Sequence, residues 1–517
     1  MTEGQDDIKV RYHDDRIVIE VNDRSSDRDR VSLLSYRQST QWHEVLIAGP
    51  VPSSSGRRGN SFPGMYYYHP GADRQWVIMV NGPVDWTQCR LDVQPRDGVL
   101  ELGLFSTLPI NPLVSLKVWH SPREEMPSQW EAVETLVTRS FQMAPLPAAP
   151  DFTPNWRDLS SRCLDRLDTK EVQHPLAKKL GGIAYQSMDG SSRDIYGRPM
   201  PYVELIPQVS IARSLHGAAQ HLGLTRAGRI SQRLARKVIP NFFNPVLDLF
   251  ENSYVVGKTS RKDDIVILDT WYALSNLSDI LYLAAANPGA QLHQLAARAV
   301  ATWMAIGREM RYNFPLFLNA THRENQGGKL NVAAGGLYAS VMLAAASLIP
   351  HQAEEFKAEA AEALTVMRRF PVQQLFHQPE LLARAAESAF QLSRETPFHR
   401  RVGEDFTHAM LLMMYRDHVN AGLFEGCAGM MYPTFRESVA ALVSLASIED
   451  RMLLLPIRSV CELGVSRSYR FLHHYDDGSV LPYEGLTTRE MPGEKAGIAI
   501  YAAGGVFDLA HLQGSWG

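Results

Sequence analysis

From about residue 155 onward, apolar residues recur at steps of three and four, the spacing that lays one stripe along a helix. Leu274, Leu277, Leu281 and Ala284 form such a stripe, widened by Ile280, and Leu292, Leu295, Ala299, Trp303, Ile306 and Met310 form the next. Val332 to Ile349 is so rich in Ala, Gly and Leu that it predicts a helix buried on most sides. Read through to the end, the pattern predicts about twelve helices. Asp269, before Thr270-Trp271-Tyr272, is placed to cap one of them. Pro456 marks a start or a kink within Met452 to Phe471, and Gly504-Gly505 weakens the last helix.

The links between these helices alternate in length. Those around Gly223 to Thr225, Asn287 to Gly289, Pro350, Glu395 to Arg401 and Ile448 to Asp450 are short. Those around 169 to 202, 239 to 268, 312 to 330, 370 to 378, 418 to 432 and 475 to 493 are mostly long. Alternation of this kind describes helical hairpins standing side by side, trimmed at one end. The other end carries nearly all the loop material, where binding and catalytic side chains concentrate.

Residues 10 to 141 have a different texture. Ile17 to Val21, Val31 to Tyr36, Glu44 to Ala48, Gln75 to Asn81, Cys89 to Val93, Val99 to Ser106 and Val114 to His120 are rich in Val, Ile, Leu and aromatics, with turn clusters between them. They predict an antiparallel β-sandwich, with a helix over Gln129 to Phe141 leading out of it. Met143 to Pro154 holds four prolines and reads as a semi-rigid connector. The expected division is therefore a sandwich domain over 1–142, a linker over 143–154 and a helical domain over 155–517.

With 517 residues and an apolar share of 45%, the chain can bury a substantial interior. A net charge of -4 supplies no basic field for a phosphate backbone, so nucleic acid is not an expected partner. No run of signal-peptide type stands at Met1 to Asp7 and no long apolar segment follows. The expectation is a cytoplasmic protein with no membrane partner. Cys89, Cys163, Cys427 and Cys461 lack metal-site spacing and are expected to be reduced. No G-x-G-x-x-G after a strand, no P-loop and no G-x-S-x-G is present, and no cofactor is expected. His473-His474 invites a metal reading, but adjacent side chains on a helix point apart, and no metal is assigned.

Several long links carry chemistry. Tyr312 to Lys329 includes His322-Arg323-Glu324, in which Glu324 is the one carboxylate. Tyr475 to Gly485 offers Asp476, Asp477, Tyr483 and Glu484, and Phe424-Glu425-Gly426-Cys427 lies between two apolar helices. Tyr254, Asp264, Trp271 and Tyr272 combine aromatic faces with polar groups, a mixture that suits a sugar subsite. Arg193, among hydroxyls, suits a carboxylate. Each has an ordinary structural alternative: Asp477 in a turn, Glu425 satisfying a helix end, Glu324 in an ion pair with Arg323 or a helix cap.

Strand-rich segment, Pro-rich connector and six helical hairpins with their long loops on one face together resemble the (α/α)6-toroid carbohydrate-active enzymes. These are the six-hairpin glycosidases of the glucoamylase and trehalase type, and the lyases on a similar toroid. In inverting members, the resemblance implies a general acid in the loop after the fifth helix and a base in the loop after the eleventh. By count these are Glu324 and Glu484, with Glu425 in reserve. The chain departs from the group in its shorter sandwich and in lacking a tryptophan-rich signature beside the acid.

The leading expectation is an inverting glycoside hydrolase acting on an oligosaccharide, with carboxyls about 6.5 to 9.5 Å apart and water between them. Substrate contacts are expected from Arg193, Tyr254, Asp264, Trp271, Tyr272, His322, Asp477 and Tyr483. One alternative is a lyase or epimerase on uronic-acid glycans, using Tyr254 or His322 with Arg193. Another is a glycan-binding protein without turnover. Sugar, linkage and endo or exo action stay open, as does whether the chain works alone or as a homo-oligomer.

Overall fold

The computed structural model describes residues 10–12, 16–22, 51–53, 56–58, 62–69, 73–81, 89–96, 99–107, 109–125, 127–148, 152–174, 181–184, 203–254, 265–286, 291–394, 396–417, 419–426, 432–452, 454–486 and 498–516. In the N-terminal part the described strands form two larger antiparallel sheets and one short hairpin. One sheet has Val10–Tyr12, Arg16–Asn22, Val99–Ser106 and Cys89–Arg96 as its four strands. The other pairs Gly64–His69, Arg74–Asn81 and Ser115–Pro122. The strand at Gly64 was not anticipated, because Met65-Tyr66-Tyr67-Tyr68 is buried on both faces and so has no polar alternation. The predicted strands at Val31 and Glu44 lie outside the described residues.

Helix α1 (Gln129–Met143) lies across the three-stranded sheet. In the register of that sheet Tyr66 stands opposite Val77 and Gly64 opposite Met79. Tyr66, Val77 and Met79 then pack with Trp130, Val133 and Val137. Toward the expected sandwich, the described residues establish two antiparallel sheets, one of them covered by a helix. Ser128 starts α1 with a reciprocal cap: its Oγ accepts from Glu131 N at 3.3 Å and its own N–H donates to the Glu131 carboxylate at 2.8 Å.

Twelve helices follow among the described residues: α2 (Trp156–Leu167), α3 (Ile206–His221), α4 (Thr225–Arg233), α5 (Thr270–Ala286), α6 (Gln291–Glu309), α7 (Ala334–Leu348), α8 (Ala353–Arg368), α9 (Pro379–Leu392), α10 (Pro397–Leu411), α11 (Phe435–Ser447), α12 (Ile457–Arg467) and α13 (Gly504–Ser515). Their packing closes a circle. α3, α5, α7, α9, α11 and α13 each touch the next, and α13 returns to α3. The remaining six stand outside, α2 against α13, α4 against α3 and so on around. This is the (α/α)6 toroid. The sequence pattern located every hairpin because each inner helix must be apolar on several sides whereas each outer one needs a single stripe.

Close approach of the inner helices depends on residues without a Cβ. A methyl group at Gly336 in α7 would fall 2.3 Å from the carbonyl oxygen of Leu381 in α9. At Gly504 it would fall 2.8 Å from Ser214 Oγ in α3, so the glycine pair that weakens the last helix locally is what lets it close the ring. Pro456 marks a start, since α12 begins at Ile457. The inner helices run parallel, and every long link arrives at their N-terminal ends. That end is the front mouth of the ring. The short links lie at the back.

Candidate active site

At the front mouth the first turns of the inner helices bring aromatic and charged side chains together. Asp269 caps α5, its Oδ1 accepting from Tyr272 N at 3.2 Å, and so sets Trp271 and Tyr272 at the helix start with their rings 4.3 Å apart. Glu380, in the first turn of α9, accepts from Trp271 Nε1 and from Ser275 Oγ, each at 3.2 Å. The Arg436 guanidinium on α11 pairs with Glu380 at 3.0 Å and lies 4.9 Å from the Trp271 ring. Three inner helices are thereby tied together by one buried ion pair and its hydrogen bonds. Burial raises the Glu380 carboxyl, but Arg436, Arg384 and the bonds from Trp271 and Ser275 outweigh it and hold the group below its ordinary value.

A second group of carboxylates surrounds the start of α11. Phe435 N donates to Glu484 O at 2.9 Å, and Thr434 bridges to Gly485, so the link carrying Glu484 is stitched to the helix that carries Glu437. Glu425 bridges to Pro433 in the same ladder and is buried. Tyr501, at the approach to α13, donates its hydroxyl to Glu484 Oε1 at 3.4 Å. Burial, then the Glu484 and Glu437 charges, drive the Tyr501 hydroxyl well above its usual value, keeping it a donor. Glu437 is also raised, by burial that exceeds the opposing pull of Arg436.

Below this level the interior stays charged. Arg213 of α3 pairs with Asp508 of α13 at 3.0 Å and lies 3.7 Å from Asp279 of α5. A narrow cavity of about 60 Å³ runs here between Tyr501, Arg436, Glu380, Arg384 and these groups. It is too small for a sugar ring.

The structure places the sequence candidates unevenly. Glu484, Trp271 and Tyr272 meet at the front mouth, and Glu425 stands in the adjoining ladder. Glu324 is exposed on the outer strand Glu324–Leu330 of a separate three-stranded sheet, where Asn319 Nδ2 donates to it at 3.3 Å. Arg323 pairs with Glu309 at 2.6 Å instead of with Glu324. His322 is likewise exposed, its backbone N–H held by Asn319. Asp477 accepts from Ser479 N and Oγ in a tight turn and faces Arg166 at 3.7 Å. Tyr483 bonds His473 Nδ1 through its hydroxyl at 2.8 Å. Tyr254 takes part in a two-residue strand with Val203 opposite. Arg193 and Asp264 lie outside the described residues.

Sequence reasoning missed Glu380, Arg436, Glu437, Tyr501 and Glu204. All five lie in or beside helix starts and strands, whereas the carboxylates expected to be catalytic came from the long links. Glu204, whose neighbours Val203 and Leu205 are buried, has its carboxyl pushed up to about 7 by burial. Among the described residues no group of three His, Cys, Asp or Glu side chains is placed to hold a metal ion, and no helix is long and apolar enough to cross a membrane. Cys89, Cys163 and Cys461 are buried, and Cys427 lies outside the described residues.

No protein-family model and no curated protein sequence matches this chain. Solved structures resemble it in fold. A D-mannose isomerase superposes with a TM-score of 0.50 at 7% identity, over 70% of this chain and 99% of that one. A sugar epimerase from a ruminal bacterium gives 0.50 at 10% identity, over 69% and 96%. Cellobiose 2-epimerase from Bacillus thermoamylovorans gives 0.50 at 11% identity, over 68% and 95%. At these identities the likeness concerns architecture, and the chain shares with all three a six-hairpin helical toroid.

Proposed function

We propose that the front mouth is the active site of a carbohydrate-active enzyme, and that the reaction is hydrolysis of a glycosidic bond with inversion. The observation that carries this reading is that Glu437, at the start of α11, and Glu484, in the link stitched to that start, both act on Tyr501, which donates its hydroxyl to Glu484, and that Glu437 is buried whereas Glu484 is half-buried. Inversion needs one carboxyl that keeps its proton and one that has lost it. Glu437, deeply buried and raised, serves as the acid. Glu484, half-buried and fed by a tyrosine hydroxyl, serves as the base that activates water. Trp271 and Tyr272 offer the apolar faces a sugar ring stacks on, and Arg436 donates toward its hydroxyls. In this reading Glu324, first expected as the acid by loop position, has no catalytic role.

A second reading has one specific observation behind it: the three solved structures above are described as a sugar isomerase and two epimerases. There a carboxylate would exchange a proton at the carbon beside an open-chain carbonyl. Product analysis by NMR in deuterated water, over neutral and acidic oligosaccharides and free reducing sugars, separates the two. A new reducing end of inverted anomeric configuration supports hydrolysis. Deuterium at the carbon next to the carbonyl, without cleavage, replaces it with epimerisation. No change in any sugar, despite binding, removes both.

A further inference from the structure

The back mouth holds a cavity of about 470 Å³, within the range of small-molecule sites, roughly 300 to 1,000 Å³. It lies between α7, α9 and α11, reaching from Ser340 and Arg384 in their middle turns to Arg394 and Arg451 beyond their ends. Three arginines line it, Arg384, Arg394 and Arg451, against one carboxylate among the described residues, Glu387. Glu387 is already satisfied: Arg384 pairs with one of its oxygens at 3.0 Å and Ser447 donates to the other at 3.0 Å. Arg394 has no ion pair among the described residues. Among the described residues Arg451 has the exposed Asp450 alone as an ion-pair partner, at 3.6 Å, a contact worth little in water.

Among the described residues the charge left over is therefore positive, and Ser340, Ser347 and Ser388 line the same cavity. Helix ends bring partial negative charge to this side, about half an elementary charge each at most. Arg394 and Arg451 stand just beyond the ends of α9 and α11 and offset it. Guanidinium forks and serine hydroxyls lining one cavity suit an oxyanion that accepts several hydrogen bonds at once, as a phosphoryl group does. Leu343, Ala344 and Ile448 supply an apolar wall beside it, which an inorganic ion alone would leave uncovered.

We propose that the back cavity is a binding site for a small phosphorylated molecule, held by Arg394 and Arg451 with Arg384 at its floor. It is distinct from the front mouth and does not depend on which reaction occurs there. Arg384 also lines the narrow cavity beneath Glu380, so the two mouths share one side chain.

The test uses the full chain and measures thermal unfolding and calorimetric binding with inorganic phosphate and with a hexose 6-phosphate, against chloride and malonate at equal ionic strength. Saturable stabilisation by both phosphates, stronger for the hexose 6-phosphate, is expected. R394Q and R451Q, each at a surface position that leaves the fold intact, are expected to weaken it by about tenfold apiece, the worth of one charge-assisted bond. Three outcomes overturn the proposal: phosphate stabilising no more than chloride, malonate binding as well as phosphate, or R394Q/R451Q binding as the natural protein does.

Discussion

The two mouths of the ring are made from the same helices and differ in nearly every chemical respect. At the front, the first turns of α5, α9 and α11 gather Glu380, Glu437, Arg436 and two aromatic rings. At the back, the middle and last turns of α7, α9 and α11 and the residues just beyond them gather arginines and serines. Parallel inner helices explain much of this division. Their N-terminal ends carry positive partial charge that favours carboxylates, and their C-terminal ends favour arginine. The front then adds what the dipoles alone do not supply: burial that drives Glu437 and Glu204 upward against that favourable field. Raised carboxyls at helix starts run against electrostatic ease, which is one ground for the site proposed above.

The sharpest way to break this contrast is to neutralise the front carboxylates one at a time. E437Q and E484Q should each lower turnover by about 10²- to 10⁴-fold, the usual worth of a positioned acid or base, with far-ultraviolet circular dichroism unchanged. E324Q should retain nearly full activity. A reversed result would return the acid to the exposed hairpin. Next in size is R436M, which leaves Glu380 buried without its partner. Urea unfolding should show a loss of about 3–5 kcal/mol, since an uncompensated buried charge costs more than the pair contributes. Stability close to that of the natural protein would show that the front network is not what ties α9 to α11.

The pH dependence of stability tests burial at the front separately. Glu204 has a folded value near 7, above its unfolded value, so its contribution is fully present below about pH 4.5 and is lost as pH rises through 7. E204Q should abolish that loss and gain up to about 3 kcal/mol over the natural protein at pH 8, measured by urea titrations across the range. Glu380 works in the opposite sense. Its folded value is lowered, so its stabilisation is present above about pH 4.5 and disappears only on further acidification. An E204Q profile parallel to that of the natural protein would place Glu204 in water. The smallest effect is expected at the back, where R394Q and R451Q should change unfolding free energy by less than about 0.5 kcal/mol without phosphate and leave turnover unchanged.

Much of the ring was legible in the chain because helix period, link length and buried composition are local properties. Val332 to Ile349 could not avoid the inner ring, and the alternation of links fixed which end carries the loops. The count placed Glu484 and Glu425 in links that do converge. Position in a loop is a poor guide to direction, however. Glu324 lies on an outward strand because Asn319 and the hairpin turn it there, and that depends on pairing with Ile267–Asp269, a segment far away in sequence.

By itself, then, the sequence determined the helices, their order, their hairpins and the two ends, since each follows from which residues must leave water. Only tertiary structure decided that Glu380, Arg436, Glu437 and Tyr501 stand together. They belong to three different helix starts, and no periodicity along one chain segment records which starts become neighbours when the ring closes. The same holds for the arginines at the back. Alone each is an ordinary surface cation, and a cavity exists only where α7, α9 and α11 are packed side by side.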